Sequence, residues 1–239
     1  MSEWAKKRFW SDVAAIEVEG GFAIELDGRG IKTPAKAPLV VPTRAFAEIV
    51  ADEWRAQAEV IDPATMPATR AANAALDKVR GQMTEVAGLV ADYGDSDLVC
   101  YRAEAPDGLA AQEAAAWDPI VDWAVHRYGI RPVVRYGVVH APQPAALLDS
   151  LRADVARLTA FELTCFHDLV AMSGSLLIAL AVIERFDSPG ALWQASRVDE
   201  DWQIAQWGTD AEAEALAESR RRAFIDAGRF YFALRAGPR

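Results

Sequence analysis

Apolar and polar positions alternate near the start of the chain: Val13-Ala14-Ala15-Ile16-Glu17-Val18-Glu19, then Gly20-Gly21, then Phe22-Ala23-Ile24-Glu25-Leu26, then Asp27-Gly28. A period of two predicts strands, and both glycine-containing dipeptides accept the positive φ of tight hairpin turns. A small antiparallel meander is therefore expected, and Leu39-Val40-Val41 can add a short strand. After Pro42 the period lengthens. Thr43 can cap a helix whose Phe46, Ile49, Val50 and Trp54 recur at three- and four-residue steps, with Pro63 and Pro67 stopping it.

Farther along, the pattern predicts a long helix from Thr69 towards Asp92, a strand over Leu98–Arg102, a helix over Ala110–Tyr128 and a strand around Val133–Val139. Helices over Pro144–Thr159, Glu162–Arg185, Ala191–Trp207 and Asp210–Leu234 complete the reading. The expected fold is α+β: a β-rich N-terminal domain, residues 1–42, packed on a larger, mainly helical domain, residues 43–239.

Composition narrows the class. The 239 residues are 52% hydrophobic and 25% charged, which is the composition of a folded globular protein. The 25 Lys and Arg against 35 Asp and Glu give a formal charge of −10, a field that repels phosphate backbones. Nucleic acid is excluded as a partner on that ground. Leu169–Ile183, the longest apolar stretch, is too short to span a bilayer, so no membrane insertion is expected. The N-terminal residues carry charge without an apolar run behind them, which predicts no secretory signal. Cys100 and Cys165 stand alone and form neither a disulfide framework nor a zinc spacing.

Common reactive motifs are missing. No glycine-rich phosphate loop and no Gly-x-Ser-x-Gly elbow occurs, and His126, His140 and His167 lie far apart in sequence. Cys165 and His167 are two apart on one helix and point to different sides, so they make no thiol and base pair. Ser173-Gly174-Ser175 reads as a place for close helix approach rather than a nucleophile. Tryptophan is what the chain has in excess: eight residues, at 4, 10, 54, 117, 123, 193, 202 and 207. Trp117 and Trp123 read as core. Trp202 and Trp207 sit among acids in Val198-Asp199-Glu200-Asp201-Trp202-Gln203-Ile204-Ala205-Gln206-Trp207-Gly208, where aromatic anchors beside charge suit a protein interface. The acids from Asp210 onward read as a solvated helix face, with Arg220, Arg221 and Arg222 closing onto them, Arg222 reaching Glu218 or Asp226.

Several stretches together resemble one family. Glu53-Trp54-x-x-Gln57 leads through Ile61 and Pro63 into Met66-Pro67-x-Thr69, with Asn73 and Asp77 beyond. Further matches are Leu26-Asp27-Gly28-Arg29, Lys32-Thr33-Pro34, Leu98-x-Cys100-Tyr101-Arg102, Trp117-Asp118-Pro119, Ser173-Gly174-Ser175 and Glu200-x-Trp202-Gln203-x-x-x-Trp207-Gly208. In this order they resemble the assembly chaperones of the ATP synthase catalytic head, in the branch that holds the alpha subunit.

The resemblance implies a small β-containing domain followed by an orthogonal helical bundle, no enzymatic activity and no cofactor. It implies binding of the free alpha subunit over its beta-facing surface, release during ring assembly, and a bacterial cytoplasmic protein, or a mitochondrial matrix protein in eukaryotic relatives. A monomer is expected. Glu200, Asp201, Trp202 and Trp207 are the candidate partner-binding residues, and Trp54, Gln57, Met66, Pro67 and Asn73 the structural motif, with Trp54 holding the two domains together. Two alternatives remain open: an enzyme whose Glu53, Asp97 and Glu200 converge with His126 or His140 in an interdomain cleft, and an acidic protein-binding scaffold.

Overall fold

The computed structural model describes residues 7–237. Met1–Lys6 lie outside the described residues, and with them Trp4 and most of the N-terminal segment read above as lacking a signal. The chain folds into two compact units. The first holds the residues up to Met83, Thr159–Cys165 and the residues from Arg229 onward; the second holds Thr84–Leu158 and Phe166–Gly228.

The first unit is built on a four-stranded antiparallel sheet. Strands β1 (Val13–Val18) and β2 (Gly21–Leu26) pair from Val13 opposite Leu26 to Val18 opposite Gly21, and β2 also pairs with β3 (Arg29–Gly30) and β4 (Val40–Val41). Asp27 and Gly28, at φ +48° and +75°, form the second turn, in which both central residues are left-handed. The Asp27 carboxylate accepts the backbone N–H of Asp12 at 2.9 Å and of Ser11 at 3.1 Å, and these bonds hold it below the usual carboxylate range. Gly21 has a different reason to be glycine: a Cβ there would stand 2.3 Å from the Val41 carbonyl oxygen of β4.

Helix α1 (Arg44–Arg55) starts at Thr43, whose hydroxyl accepts the Phe46 N–H and donates to the Ala233 carbonyl at 2.8 Å. Its apolar stripe is buried at Phe46, Ala47, Val50 and Ala51, and the Phe46 ring meets Phe161 and Phe230 edge-on at 6.4 and 5.7 Å. Because α1 belongs with the sheet, the expected division into 1–42 and 43–239 differs from the grouping of the residues. The change of periodicity after Pro42 marks where strand becomes helix, not where one core ends.

The long helix expected over 69–92 is two, α2 (Pro67–Asp77) and α3 (Met83–Ala91), separated by a short 3-10 turn at Val79–Gly81. Asp77, the last residue of α2, accepts the Thr33 hydroxyl at 2.6 Å and the Ala35 N–H at 3.1 Å. Those bonds tie the Lys32-Thr33-Pro34 turn to α2.

In the second unit the expected strand over 98–102 is a 3-10 turn at Leu98–Cys100 followed by β5 (Tyr101–Arg102). The strand around 133–139 reduces to β6 (Arg135–Tyr136), because only β5 is there to pair with it, in parallel. Helix α4 (Asp107–Tyr128) buries Glu113, Trp117, Ile120, Val121 and Ala124, so Trp117 is core as expected. Helix α5 (Ala145–Ala156) follows.

The expected helix over 162–185 breaks at Gly174, φ +70°, into α6 (Ala160–Ser173) and α7 (Leu176–Ile183). Ser173-Gly174-Ser175 is therefore a helix stop and restart. The Ser175 hydroxyl accepts the Ile178 N–H at 2.9 Å and donates to the fully buried Asp97 at 2.6 Å, and Asp97 also accepts the N–H groups of Leu177 at 2.8 Å and Val99 at 3.1 Å. Likewise the helix over 191–207 is two, α8 (Pro189–Ala195) and α9 (Val198–Trp207), before the long α10 (Ala211–Leu234). The α+β class stands. No helix among the described residues is long and apolar enough to cross a membrane.

Candidate functional site

Helix α9 and the first half of α10 form a hairpin with little of it buried. Asp199, Glu200 and Asp201 occupy the first turn of α9, where the helix dipole favours acids. Gly208, φ +78°, ends it, and the Asp210 carboxylate starts α10 by accepting the Ala213 N–H at 2.8 Å. No residue of α9 is fully buried. Between the helices lies an open groove of about 800 Å³ lined by Glu200, Asp201, Ile204 and Trp207 from α9 and by Glu214 and Leu216 from α10. Trp207 is 79% exposed and Leu216 54%, which is unusual for large apolar side chains without a partner.

Charge in the groove is arranged in pairs and gaps. Glu200 pairs with Arg197 at 3.1 Å, and the Arg197 guanidinium stands 5.9 Å from the centre of the Trp193 ring. Glu218 takes Arg221 on both oxygens, at 2.6 and 2.9 Å, and Arg222 at 2.7 Å. The Arg221 bonds first, then those of Arg222, hold its carboxyl down at about 2. The arginine run thus closes onto the acids as the spacing suggests, and Arg222 chooses Glu218.

The four candidate interface residues do not share one face. Glu200, Asp201 and Trp207 line the groove, whereas Trp202 is half-buried and turns to the other side, its ring lying on Gly108 at the start of α4. Trp202 is thus a fastening for α9. Beside it, Asp199 meets Glu113 of α4 (2% exposed), a residue that sequence reasoning missed. Its signal was present: Glu113 lies four positions before Trp117 and seven before Ile120, on the buried stripe of α4.

The structural motif lies in the first unit and acts on the backbone. The Glu53 carboxylate accepts the N–H groups of Ala68 at 2.6 Å and Thr69 at 2.8 Å, capping α2, whose first residue is Pro67. Gln57, 4% exposed, donates to the Glu53 carbonyl and the Thr65 hydroxyl, both at 3.0 Å, and accepts the Asp62 N–H at 2.7 Å. Together they fold the segment 58–66 between α1 and α2, with Met66 buried under it. The Asn73 side-chain oxygen is buried without a hydrogen-bond partner among the described residues. The Trp54 ring meets Trp10 at 5.2 Å and 60°, a contact inside the first unit, so the joining of two domains expected of it is not the role this contact serves.

The residues of the enzyme alternative are occupied locally. Glu53 caps α2, Asp97 caps α7, Glu200 pairs with Arg197, and His140 stands 3.2 Å from the Tyr101 hydroxyl and 3.4 Å from Asp95. Burial pushes the Asp97 carboxyl up to about 6 and the Cys100 thiol well above its ordinary value, the opposite of an activated nucleophile. His167 pairs with Asp168 at 3.2 Å, and Cys165 is buried. Among the described residues no group of three His, Cys, Asp or Glu side chains is placed to hold a metal ion.

Known proteins are similar to this chain in fold and in sequence. A family model described as ATP12 chaperone protein matches residues 7–125. The crystal structure of Atp12 from Paracoccus denitrificans is 45% identical over 97% of this chain and 100% of that chain, with a TM-score of 0.92. A crystal structure of a protein from Agrobacterium tumefaciens is 37% identical over 96% of this chain and 85% of that one, with a TM-score of 0.90. The mitochondrial protein atp12 of Schizosaccharomyces pombe is 20% identical over 224 residues, 88% of this chain and 76% of that one. By its 45% identity to that Atp12 over 97% of its length and its match to the family model, this chain belongs to the ATP12 family of ATP synthase assembly chaperones.

Proposed function

We propose that this chain binds the free alpha subunit of the ATP synthase catalytic head through the α9–α10 groove, shields the beta-facing surface of that subunit, and gives it up during ring assembly without covalent chemistry or a cofactor. The observation that carries this reading is Trp207: a tryptophan 79% exposed in a groove rimmed by Glu200, Asp201 and Glu214. Aromatic anchors supply most of the energy of a protein contact, while a wet acidic rim adds direction and lets the contact reverse. A chaperone needs that combination, because it must hold an aggregation-prone apolar surface and then leave it.

Co-expression with the alpha subunit tests the reading. The alpha subunit stays soluble and co-purifies at equal stoichiometry with the wild-type chain. With Trp207→Ala or Glu200→Ala, capture falls by about tenfold, equivalent to roughly 1.4 kcal/mol, while the melting temperature of the chaperone stays unchanged because both side chains face solvent. An alpha subunit that aggregates equally with and without the chain removes the proposal, as does a pull-down that retrieves other proteins and leaves this one behind.

A further inference from the structure

Helix α9 buries none of its residues completely, so its hold on the second unit depends on few contacts. One is Trp202 on Gly108. Another is a pair of acids, Asp199 of α9 and Glu113 of α4, which together line a cavity of about 520 Å³. One oxygen of Glu113 is occupied, accepting the Ala103 N–H at 2.7 Å. On Asp199, Oδ1 is buried and has no hydrogen-bond donor among the described residues. A buried carboxylate oxygen without a donor is costly, and two carboxylates side by side repel. Both problems vanish if Glu113 carries a proton and donates it to Asp199.

We infer that Glu113 and Asp199 share one proton, and that this proton is a latch fixing α9 to α4, released when it is lost. Partner control by this latch rests on the reading above, in which α9 is a contact helix. The surroundings allow it. Burial and the neighbouring Asp199 push the Glu113 carboxyl up to about 7, against the N–H of Ala103 and the Arg102 charge, which lower it. From β5 the nearest cation is Arg102, but its guanidinium already donates to the Val99 carbonyl and, at 2.9 Å, to Asp118 of α4. Glu104 and Tyr101 line the same cavity and add no positive charge. On α9 itself, Arg197 is paired with Glu200. No free cation is on hand among these groups to replace the proton.

Glu113 is therefore a positioning residue for the contact helix. Its raised value means that the latched form binds the proton more tightly than the opened form, so closure is strongest in acid and weakens as pH rises from about 4.5 to about 7. The test is amide hydrogen exchange of the peptide 198–207 in the full chain, corrected for the intrinsic pH dependence of exchange. In the wild type its protection falls by on the order of tenfold between about pH 5.5 and about pH 8.5. Glu113→Gln keeps a neutral donor and abolishes the pH dependence. Asp199→Asn removes the neighbouring charge and moves the transition to lower pH, which keeps the test sound should Glu113→Gln fold poorly. Protection that is flat with pH in the wild type, or that falls equally in Glu113→Gln, overturns the latch. Capture of alpha subunit by the wild type, weaker at pH 8.5 than at pH 5.5, supports its control of binding, and pH-independent capture overturns that control. If no alpha subunit is captured at any pH while the helix still titrates, the assigned partner falls and the latch stands.

Discussion

The indole of Trp202 lies so close to the backbone of Gly108 that a β-carbon at position 108 would stand 2.8 Å from its Cη2. No real side chain fits there without moving the ring. The pair separates the two tryptophans of α9 that look alike in sequence: one is spent on attachment and the other, Trp207, is left outside.

Gly108→Ala is the direct consequence. In the first turn of α4 alanine improves helix propensity by roughly 0.5–1 kcal/mol, which offsets part of the clash. Overall stability changes by less than about 1 kcal/mol in thermal unfolding, while the displaced Trp202 shifts α9 and, under the proposed function, weakens alpha-subunit capture by about tenfold, or roughly 1.4 kcal/mol. A variant that captures like wild type would mean that the placement of α9 does not matter to binding.

Trp54→Ala tests the other tryptophan contact. Removing a large, half-buried indole that meets Trp10 at 5.2 Å leaves a void in the first unit. The expected cost is about 3 kcal/mol, read from urea unfolding, and it appears without any partner present. An unchanged midpoint would make Trp54 a surface residue in energetic terms.

Asp97→Ala strips the acceptor from the Ser175 hydroxyl and from the N–H groups of Val99 and Leu177 in a site that is fully buried. Three orphaned donors predict a loss of about 3–5 kcal/mol and early exposure of α7 in hydrogen exchange. Asp97→Asn retains one acceptor oxygen and loses less.

Stability itself depends on pH with a definite sign. Glu113, up from 4.5 to about 7, and Asp97, up from 3.8 to about 6, both bind protons more tightly folded than unfolded. His167, raised by Asp168, acts in the same direction. Their contributions are complete below the unfolded values and are lost as pH rises through the folded ones. Asp27 and Glu218, both lowered, contribute above their unfolded values and lose that contribution only in stronger acid. The melting temperature therefore falls as pH is raised from about 5 to about 8, and Glu113→Gln removes part of the slope.

What could be read in advance was what is local. The β2–β3 turn is set by Asp27-Gly28 and the β1–β2 turn by Glu19-Gly20, one residue before the Gly20-Gly21 pair that marks it in the sequence, and both hairpins were legible. The break at Gly174 was not. Leu169–Ile183 is apolar on every side, so periodicity has no phase to lose, and the acid that caps the restarted helix, Asp97, is 78 residues from Ser175. At the site, the composition of α9 pointed to the hairpin that the structure leaves exposed. Composition could not tell which way Trp202 and Trp207 turn, since that depends on a glycine in α4, and it left Glu113 unremarked among the alanines of 110–116.

The hydroxyl of Thr43 and the carbonyl of Ala233 are 190 residues apart in the chain yet bonded at 2.8 Å, and Phe46 rests on Phe230 nearby. A ribosome delivers Thr43 long before Ala233. Full cover of Phe46 therefore waits until the segment around Phe230 has emerged. Until then this member of a chaperone family itself exposes the kind of apolar surface that chaperones cover.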